Sequence, residues 1–527
     1  MELNNVIDIV EAIPGDSADA TATAAVDVLI AGAGPTGLAL GVDLARRGVR
    51  ALLVERQPEF SRGARGTGVQ PRTQEVFDDL GVLAAAQAAG GLYPPMALWE
   101  DGRIARTHQM IELVDPTPST PYSNALMLPQ WRNQQVLHAR LVELGGSVLL
   151  GTELRDFTED ADGVTARLTG ADGAVRTVRA SYLVAADGGR STVRRQLGVQ
   201  MSGPDLPPGV AIVADVRIDG LDRDHWHRWM LPPHGFVTLL PLVGTDLFQC
   251  FAAAATDDPD TSPEAVRALI AHHTDLAPEQ VREVVWSSVY RPRAGIADAY
   301  RHGRVFLAGD AAHIHSPAGG QGMNTSVQDA YNLGWKLGQV LRHGAPDSLL
   351  DTYQTERRPI AARILATSTR LHRSGSLNRG RDLHQLDIGY PDSPLTRELR
   401  TGLSKDARTA GDRAPDAPCS TADGTPAHLF DAFRGPHFTV IALGSTDLDV
   451  ASLPGTGDPA LLRTVRVGGP DPDLLDTDGH IRDAYGAGPA VFLVRPDGYI
   501  ALAAPAVGAT APVADALGTY FGAAQTV

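Results

Sequence analysis

Thirty residues near the start of the chain leave few folds open. Val26-Asp27-Val28-Leu29-Ile30-Ala31 is a short apolar run of buried-strand type, and it enters Gly32-Ala33-Gly34-Pro35-Thr36-Gly37. Apolar residues then recur at helical spacing (Leu38, Leu40, Val42, Leu44, Ala45), Arg47-Gly48 closes the helix, and a second run, Arg50 to Val54, delivers Glu55 followed by Arg56. A G-x-G-x-x-G between strand and helix, with an acid at the tip of the next strand, is the context in which this spacing binds a dinucleotide. Gly32 makes the tight turn, Gly34 admits the pyrophosphate, and Gly37 lets the helix pack on the strand. Pro35 and Thr36 line the same turn, and Glu55 is placed to accept hydrogen bonds from ribose hydroxyls. The chain therefore starts as a parallel α/β sheet.

A second stretch, GRVFLAGDAAHIHSPAGGQGMNTSVQDAYNLGWK from Gly303 to Lys336, supplies a matching half. Its strand run ends in Gly309-Asp310, which sets a carboxylate at the edge where α/β sheets bind ligands. Pro317, Gly319, Gly320 and Gly322 follow with little side-chain bulk, so a flat ligand can approach the backbone. From Met323 the pattern turns helical through Val327, Ala330, Leu333 and Leu337. Such a helix aims free N–H groups at whatever lies over the glycines and favours an anion there. Between the two stretches, Tyr182 to Ala186 is another strand run, ending in Asp187-Gly188-Gly189-Arg190-Ser191 with Arg194 beyond.

These three motifs, in this order, resemble those of the FAD-dependent class A aromatic hydroxylases, the para-hydroxybenzoate hydroxylase family. The resemblance runs from about residue 26 to the end. It implies an α/β protein: a Rossmann-type FAD-binding domain interleaved with a β-sheet substrate domain, plus a C-terminal thioredoxin-like domain. The expected divisions are a flexible leader (1–25), an FAD-binding domain in two pieces (26–198 and 296–371), a substrate domain (199–295), a connection (372–410) and the thioredoxin-like domain (411–527). It further implies that Asp310 holds the ribityl chain, that Pro317 lies beside the isoalloxazine, and that Gly320 and Gly322-Met323-Asn324 line it. Arg65, in the loop after the second strand, would contact the cofactor, as would Gln130 and Arg132 at the start of a helix and Asp187 in the DG motif. Arg190 and Arg194 complete that motif, which the family ties to the nicotinamide donor as well. Gly66 stands where the family usually has alanine, and Gln134-Gln135 where it often has an acid.

Composition limits the partners. The formal charge over 527 residues is −16, which disfavours nucleic acid and anionic membranes. No apolar run approaches the ~20 residues that cross a bilayer. Two cysteines, Cys250 and Cys419, exclude a disulfide scaffold and a cysteine zinc site, and no metal is expected. The first residues lack the basic start of a signal peptide. A cytoplasmic monomer or homodimer is expected.

The resemblance implies a monooxygenase that takes hydride from NADPH or NADH onto non-covalent FAD. It would then use molecular oxygen, through a C4a-hydroperoxyflavin, to hydroxylate an electron-rich aromatic of polyketide type. A Baeyer–Villiger or epoxidising oxygenase would carry the same motifs, and so would a flavoprotein that only binds a metabolite. No side chain is an obvious nucleophile with a base partner, and no catalytic residue is assigned. Polar candidates in 199–295 are His225, His227, His234, Tyr290 and Arg293, each of which reads more simply as a satisfied or surface group. Trp226 and Trp229 are three apart rather than the two of flavin-dependent halogenases, and no lysine lies in the region, which argues against that reading.

Overall fold

Burial at seven of the eight positions of the Ala24–Ala31 strand marks it as the middle of a parallel sheet covered on both faces. In the computed structural model, which describes residues 24–522 apart from 207–208, 232–234, 375–378, 406, 445 and 487, it pairs in parallel with Ala51–Glu55 on one side and Val175–Ala185 on the other. Val305–Leu307 and Val148–Leu150 extend the sheet, again in parallel. The Pro35–Arg46 helix crosses over one face and packs on the long Gly322–His343 helix. Parallel strands end on one edge, so the turns after Ala31, Glu55, Ala185 and Leu307 come together although the chain separates them widely.

The second sheet is largely antiparallel, in the order Val281–Tyr290, Ala211–Ile218, Leu247–Ala253, Phe236–Pro241, Trp226–Met230, Met96–Glu100, Arg103–His108. The last two strands correct the expected boundary. The sheet is not confined to 199–295, because Met96–Glu100 leaves the first domain and pairs in parallel with Trp226–Met230. Its two faces differ. Ile212, Ala214, Val216, Val237, Leu239, Phe248, Cys250 and Ala252 point one way and are buried with Val266 and Ile270 of the Pro263–His273 helix. By the two-residue period of a strand, their neighbours point toward the first domain. The expected leader lies outside the described residues except for Ala24 and Ala25, which already pair in the first sheet.

The C-terminal sheet is mixed. Phe438–Leu443 runs parallel to Leu462–Val467 and antiparallel to Ala490–Val494, which pairs antiparallel with Ile500–Pro505. It shares a core with the first domain: Trp335 of the Gly322 helix is fully buried among Phe438, Val440, Leu493 and Tyr520, with edge-on ring contacts at 5.7 and 5.8 Å to Phe438 and Tyr520. The stretch expected as a mere connection does structural work. Arg397–Glu398 adds a strand to this sheet, and Gln385 is buried at a positive φ of 62°. In the same domain, burial and the charges of Asp416, Asp431 and Asp476 push the Cys419 thiol up to about 11. A thiol so rarely ionised is a poor nucleophile. Cys419→Ser is expected to keep full turnover and thermal stability within about 0.5 kcal/mol; a turnover assay and a melting curve check this.

Candidate functional site

The glycine turn after Ala31 admits nothing larger at two of its positions. Gly32 has φ +103°, and a Cβ there would lie 2.3 Å from the Ala186 carbonyl oxygen. One on Gly37 would lie 2.0 Å from the Gly32 oxygen, whereas one on Gly34 would meet nothing within 4 Å. The turn thus packs against the 186–187 turn and leaves open space at Gly34, before a helix with Pro35 in its first turn. Thr36 is buried, and its hydroxyl faces Gly309. At the tip of the next strand, Glu55 accepts the Ala33 N–H (3.1 Å) and the Gln57 N–H (3.0 Å), which fixes its carboxylate beside the turn. Arg56 points outward and is exposed.

At the next edge position, Asp187 Oδ2 accepts the Thr192 and Val193 N–H groups, while Oδ1 is buried with no partner. Burial pushes the Asp187 carboxyl up against those hydrogen bonds. Arg194 does not offer its charge to a ligand: it is buried and donates to the carbonyls of Ala311 and Gly189 (2.9 and 3.0 Å), tying this turn to the Gly309–Ala312 turn. Arg190 is exposed.

Asp310 keeps an exposed side chain within a crowded protein surround. That crowding pushes its carboxyl up, and the charges of His313 and Arg65 oppose the rise. Arg65 itself lies 5.6 Å over the Trp286 ring of the second sheet. Pro317 and Gly320 are exposed and Gly322 is half-buried beside open space, so the turn presents a bare surface. Met323 begins the helix, and its Sδ accepts from Asn133 Nδ2. The Asn324 side chain is fully buried, accepting the Gln70 N–H and donating to the carbonyls of Gly68 and Gly320 (2.7, 2.8 and 2.8 Å). It clamps two loops together, with both of its amide N–H donors in use. Arg132 lies over the Trp131 ring and donates to Gln135. Gln130 remains beside Gly66 at the start of its helix.

Sequence reasoning missed what holds this turn. Asp329 accepts from His313 Nε2 (2.5 Å), from Arg357 Nε (2.8 Å) and from the Gly309 N–H (3.2 Å), all buried. Burial alone would push Asp329 up; His313 and Arg357 outweigh it and hold the carboxylate ionised. An ionised carboxylate only accepts, so His313 Nε2 donates, and its Nδ1 shares a hydrogen bond of 2.9 Å with His315 Nε2. Behind the glycines, Gln385 donates to Gln321 and Thr325 and accepts from Gln328. Gln134, where an acid was expected, donates to the Ala33 carbonyl. Spacing along the chain signals none of these contacts.

Under the loop carrying Arg65, Asp215 accepts the Ala64 N–H at 2.9 Å beside a register shift in its strand. Its side chain is buried with Oδ1 unpartnered, and burial pushes its carboxyl up to about 7. A folded-state value above the unfolded one costs stability as pH rises from about 4 to 7, and the loss is complete above 7. Asp215→Asn is expected to gain on the wild type across that window. The gain should reach a few kcal/mol at pH 8, since each tenfold change in proton affinity is worth about 1.4 kcal/mol, and vanish at pH 4. Paired denaturation curves at the two pH values check it. Of the histidines, His227 takes the Trp99 N–H and donates to the Asp222 carbonyl, and His225 pairs with Asp222. Arg293 is exposed, and His234 lies outside the described residues. Among the described residues no group of three or more His, Cys, Asp or Glu is placed to hold a metal ion, and no helix is long and apolar enough to cross a membrane.

Residues 25–368 match the family described as FAD binding domain, and residues 407–524 match that described as aromatic-ring hydroxylase, C-terminal. The chain is 40% identical to a flavin-dependent monooxygenase of Mycobacteroides abscessus over 90% of its own length and 96% of the relative's. It is 36% identical to the 12-dehydrotetracycline 5-monooxygenase/anhydrotetracycline 6-monooxygenase of Streptomyces rimosus, over 94% and 99% of the two chains. Among solved structures, aklavinone-11 hydroxylase in a ternary complex with FAD and aklavinone superposes with a TM-score of 0.78 at 30% identity, covering 94% of this chain and 99% of that one.

Proposed function

The chain belongs to the class A FAD-dependent aromatic hydroxylases, and on that footing we propose that it uses NADPH or NADH and molecular oxygen to hydroxylate an electron-rich, fused-ring aromatic of polyketide type. The observation that carries this reading is the convergence of the Gly34, Glu55, Asp187 and Asp310 turns on one sheet edge, facing the half-buried face of the second sheet.

The open space at Gly34 and the N-terminus of the Pro35 helix would take the pyrophosphate, with Pro35 and Thr36 lining it. Glu55 and Arg56 would lie by the adenosine ribose. Asp187, Asp310 and Arg65 would border the ribityl chain, with Gln130 and Arg132 near the same edge. Pro317, Gly320, Gly322 and Met323 would border the flavin ring, and Asn324 acts there by shaping the turn. FAD, when bound, supplies hydride acceptance and oxygen activation. The protein's part is to orient the aromatic ring, keep water out of the cleft, and hold partial positive charge at the Gly322 helix N-terminus beside any charge that develops on the ring. A C-terminal domain of thioredoxin type, without a second cysteine near Cys419, serves this architecture as structure.

The test uses purified protein with its flavin. FAD at about one per chain, with NADPH or NADH oxidation speeded by an aromatic polyketide and ¹⁸O from O₂ in the product, supports the reading. Bound FAD with peroxide as the sole oxygen product, for every aromatic that binds, would leave a binding flavoprotein instead.

A further inference from the structure

The cleft-side face of the second sheet carries an aromatic ladder that no motif marks. The pairings Ala211↔Tyr290, Val213↔Phe251 and Arg228↔Thr238, together with the burial of the alternate positions, put Tyr290, Phe251, Phe236 and Arg228 on one face. All four are half-buried, on four different strands. The Phe251 and Tyr290 rings lie 5.9 Å apart, and Phe236 and Phe251 stack at 5.8 Å with 11° between planes. The Arg228 guanidinium covers Phe236 at 4.2 Å from its centroid. At one end, Tyr290 lies within electrostatic reach of Asp310, which ties the ladder to the flavin cleft. At the other, burial and the nearby charge of Arg379 both disfavour the Arg228 cation, and among the described residues its hydrogen bond is to the Met230 sulfur.

We propose that this ladder selects the substrate: a planar fused-ring aromatic lying along Tyr290, Phe251 and Phe236, with an ionised oxygen (a phenolate, enolate or carboxylate) against Arg228. Three features favour that occupant. From Tyr290 to Arg228 the wall spans four inter-strand spacings of about 4.8 Å, which is long enough for three or four fused rings. Its rings offer faces and edges to a planar ligand. A half-buried guanidinium beside a like charge gains from an anion set against it. In a chain of net charge −16, such a site gives orientation as well as affinity, since an anionic end fixes which end of the ligand lies toward Asp310.

The inference rests on the monooxygenase reading and deepens it. The test is equilibrium dialysis of the FAD-loaded protein against anthraquinone-2-carboxylate and its neutral twin, anthraquinone-2-carboxamide. Wild type is expected to bind the carboxylate at least about tenfold more tightly. Arg228→Gln should shrink that ratio to within about threefold by weakening the carboxylate alone, Arg228→Lys should keep part of it, and Phe251→Ala should weaken both probes by about tenfold. FAD content equal to wild type shows that a variant has folded. The wild-type comparison needs no variant, so a folding failure cannot hide the answer. Equal affinity for the two probes, or a ratio untouched in Arg228→Gln, would overturn the proposal, as would binding of neither probe. If oxygen is still inserted into another aromatic, the monooxygenase reading survives that failure. A protein that binds the carboxylate through Arg228 but never oxygenates any aromatic keeps the ladder and loses the monooxygenase.

Discussion

Glu356→Ala should be the most damaging single substitution outside the glycine turns, lowering stability by about 3–5 kcal/mol. Glu356 is fully buried in the Asp351–Ser374 helix and accepts from Lys336 (2.8 Å), Asn332 (2.7 Å), Ser393 (2.7 Å) and both terminal nitrogens of Arg495 (2.6 and 3.0 Å). Arg495 belongs to the C-terminal domain and also forks onto Asp497. Removing the carboxylate leaves the buried Lys336 ammonium without its charge partner and Arg495 with Asp497 alone. Burial already pushes Lys336 down to about 8, with Glu356 opposing the fall, so loss of Glu356 should drive that lysine toward its neutral form. A second buried pair, Arg413 to Glu75 at 2.7 Å, spans the same interface. Both partners of the core around Trp335 would therefore be disturbed together. The expected result in urea denaturation is a lower midpoint with bound FAD lost in the same transition. A stability within about 1 kcal/mol of wild type would mean that the cluster relaxes around the gap.

Asp310→Ala should cost the protein its flavin while leaving the fold in place. Asp310 is the cleft-facing carboxylate of the turn, and hydrogen bonds to a charged group contribute about 1.5–3 kcal/mol each. One such bond amounts to about ten- to a hundredfold in affinity for FAD. The turn's own support does not run through Asp310: Gly309 is held by Asp329, and the Gly319–Gly322 segment by Asn324, Gln321 and Gln385. The variant should thus purify with much less FAD yet give a circular-dichroism spectrum like the wild type's. A preparation with the wild-type FAD:protein ratio would remove Asp310 from the site. Glu55→Ala should weaken FAD less, because its carboxylate already commits an acceptor to each of two backbone N–H groups and stands nearer to solvent.

The local features were readable from the chain because local chemistry alone dictates them. A turn with φ near +100° against a neighbouring carbonyl admits glycine alone, so Gly32 announces the first turn in any context. The apolar run before it, the helical period after Met323 and the acid at Glu55 are equally short-range, and together with the motif resemblance they carried the α/β fold. Three things were decided only in three dimensions. The Asn324 side chain is held by Gln70, Gly68 and Gly320, the first and second of them about 250 residues away along the chain. Met96–Glu100 looked like part of the first domain and joined the second sheet, since a strand's partner is set by topology and not by its own residues. The Arg228–Phe236–Phe251–Tyr290 ladder exists only once register fixes which alternate residues share a face, and a slip by one residue in any strand would turn its side chain to the other side. Backbone sterics and periodicity act within a few residues and are written in the sequence; side-chain partners are chosen across the fold, where the distance along the chain says nothing about the distance in space.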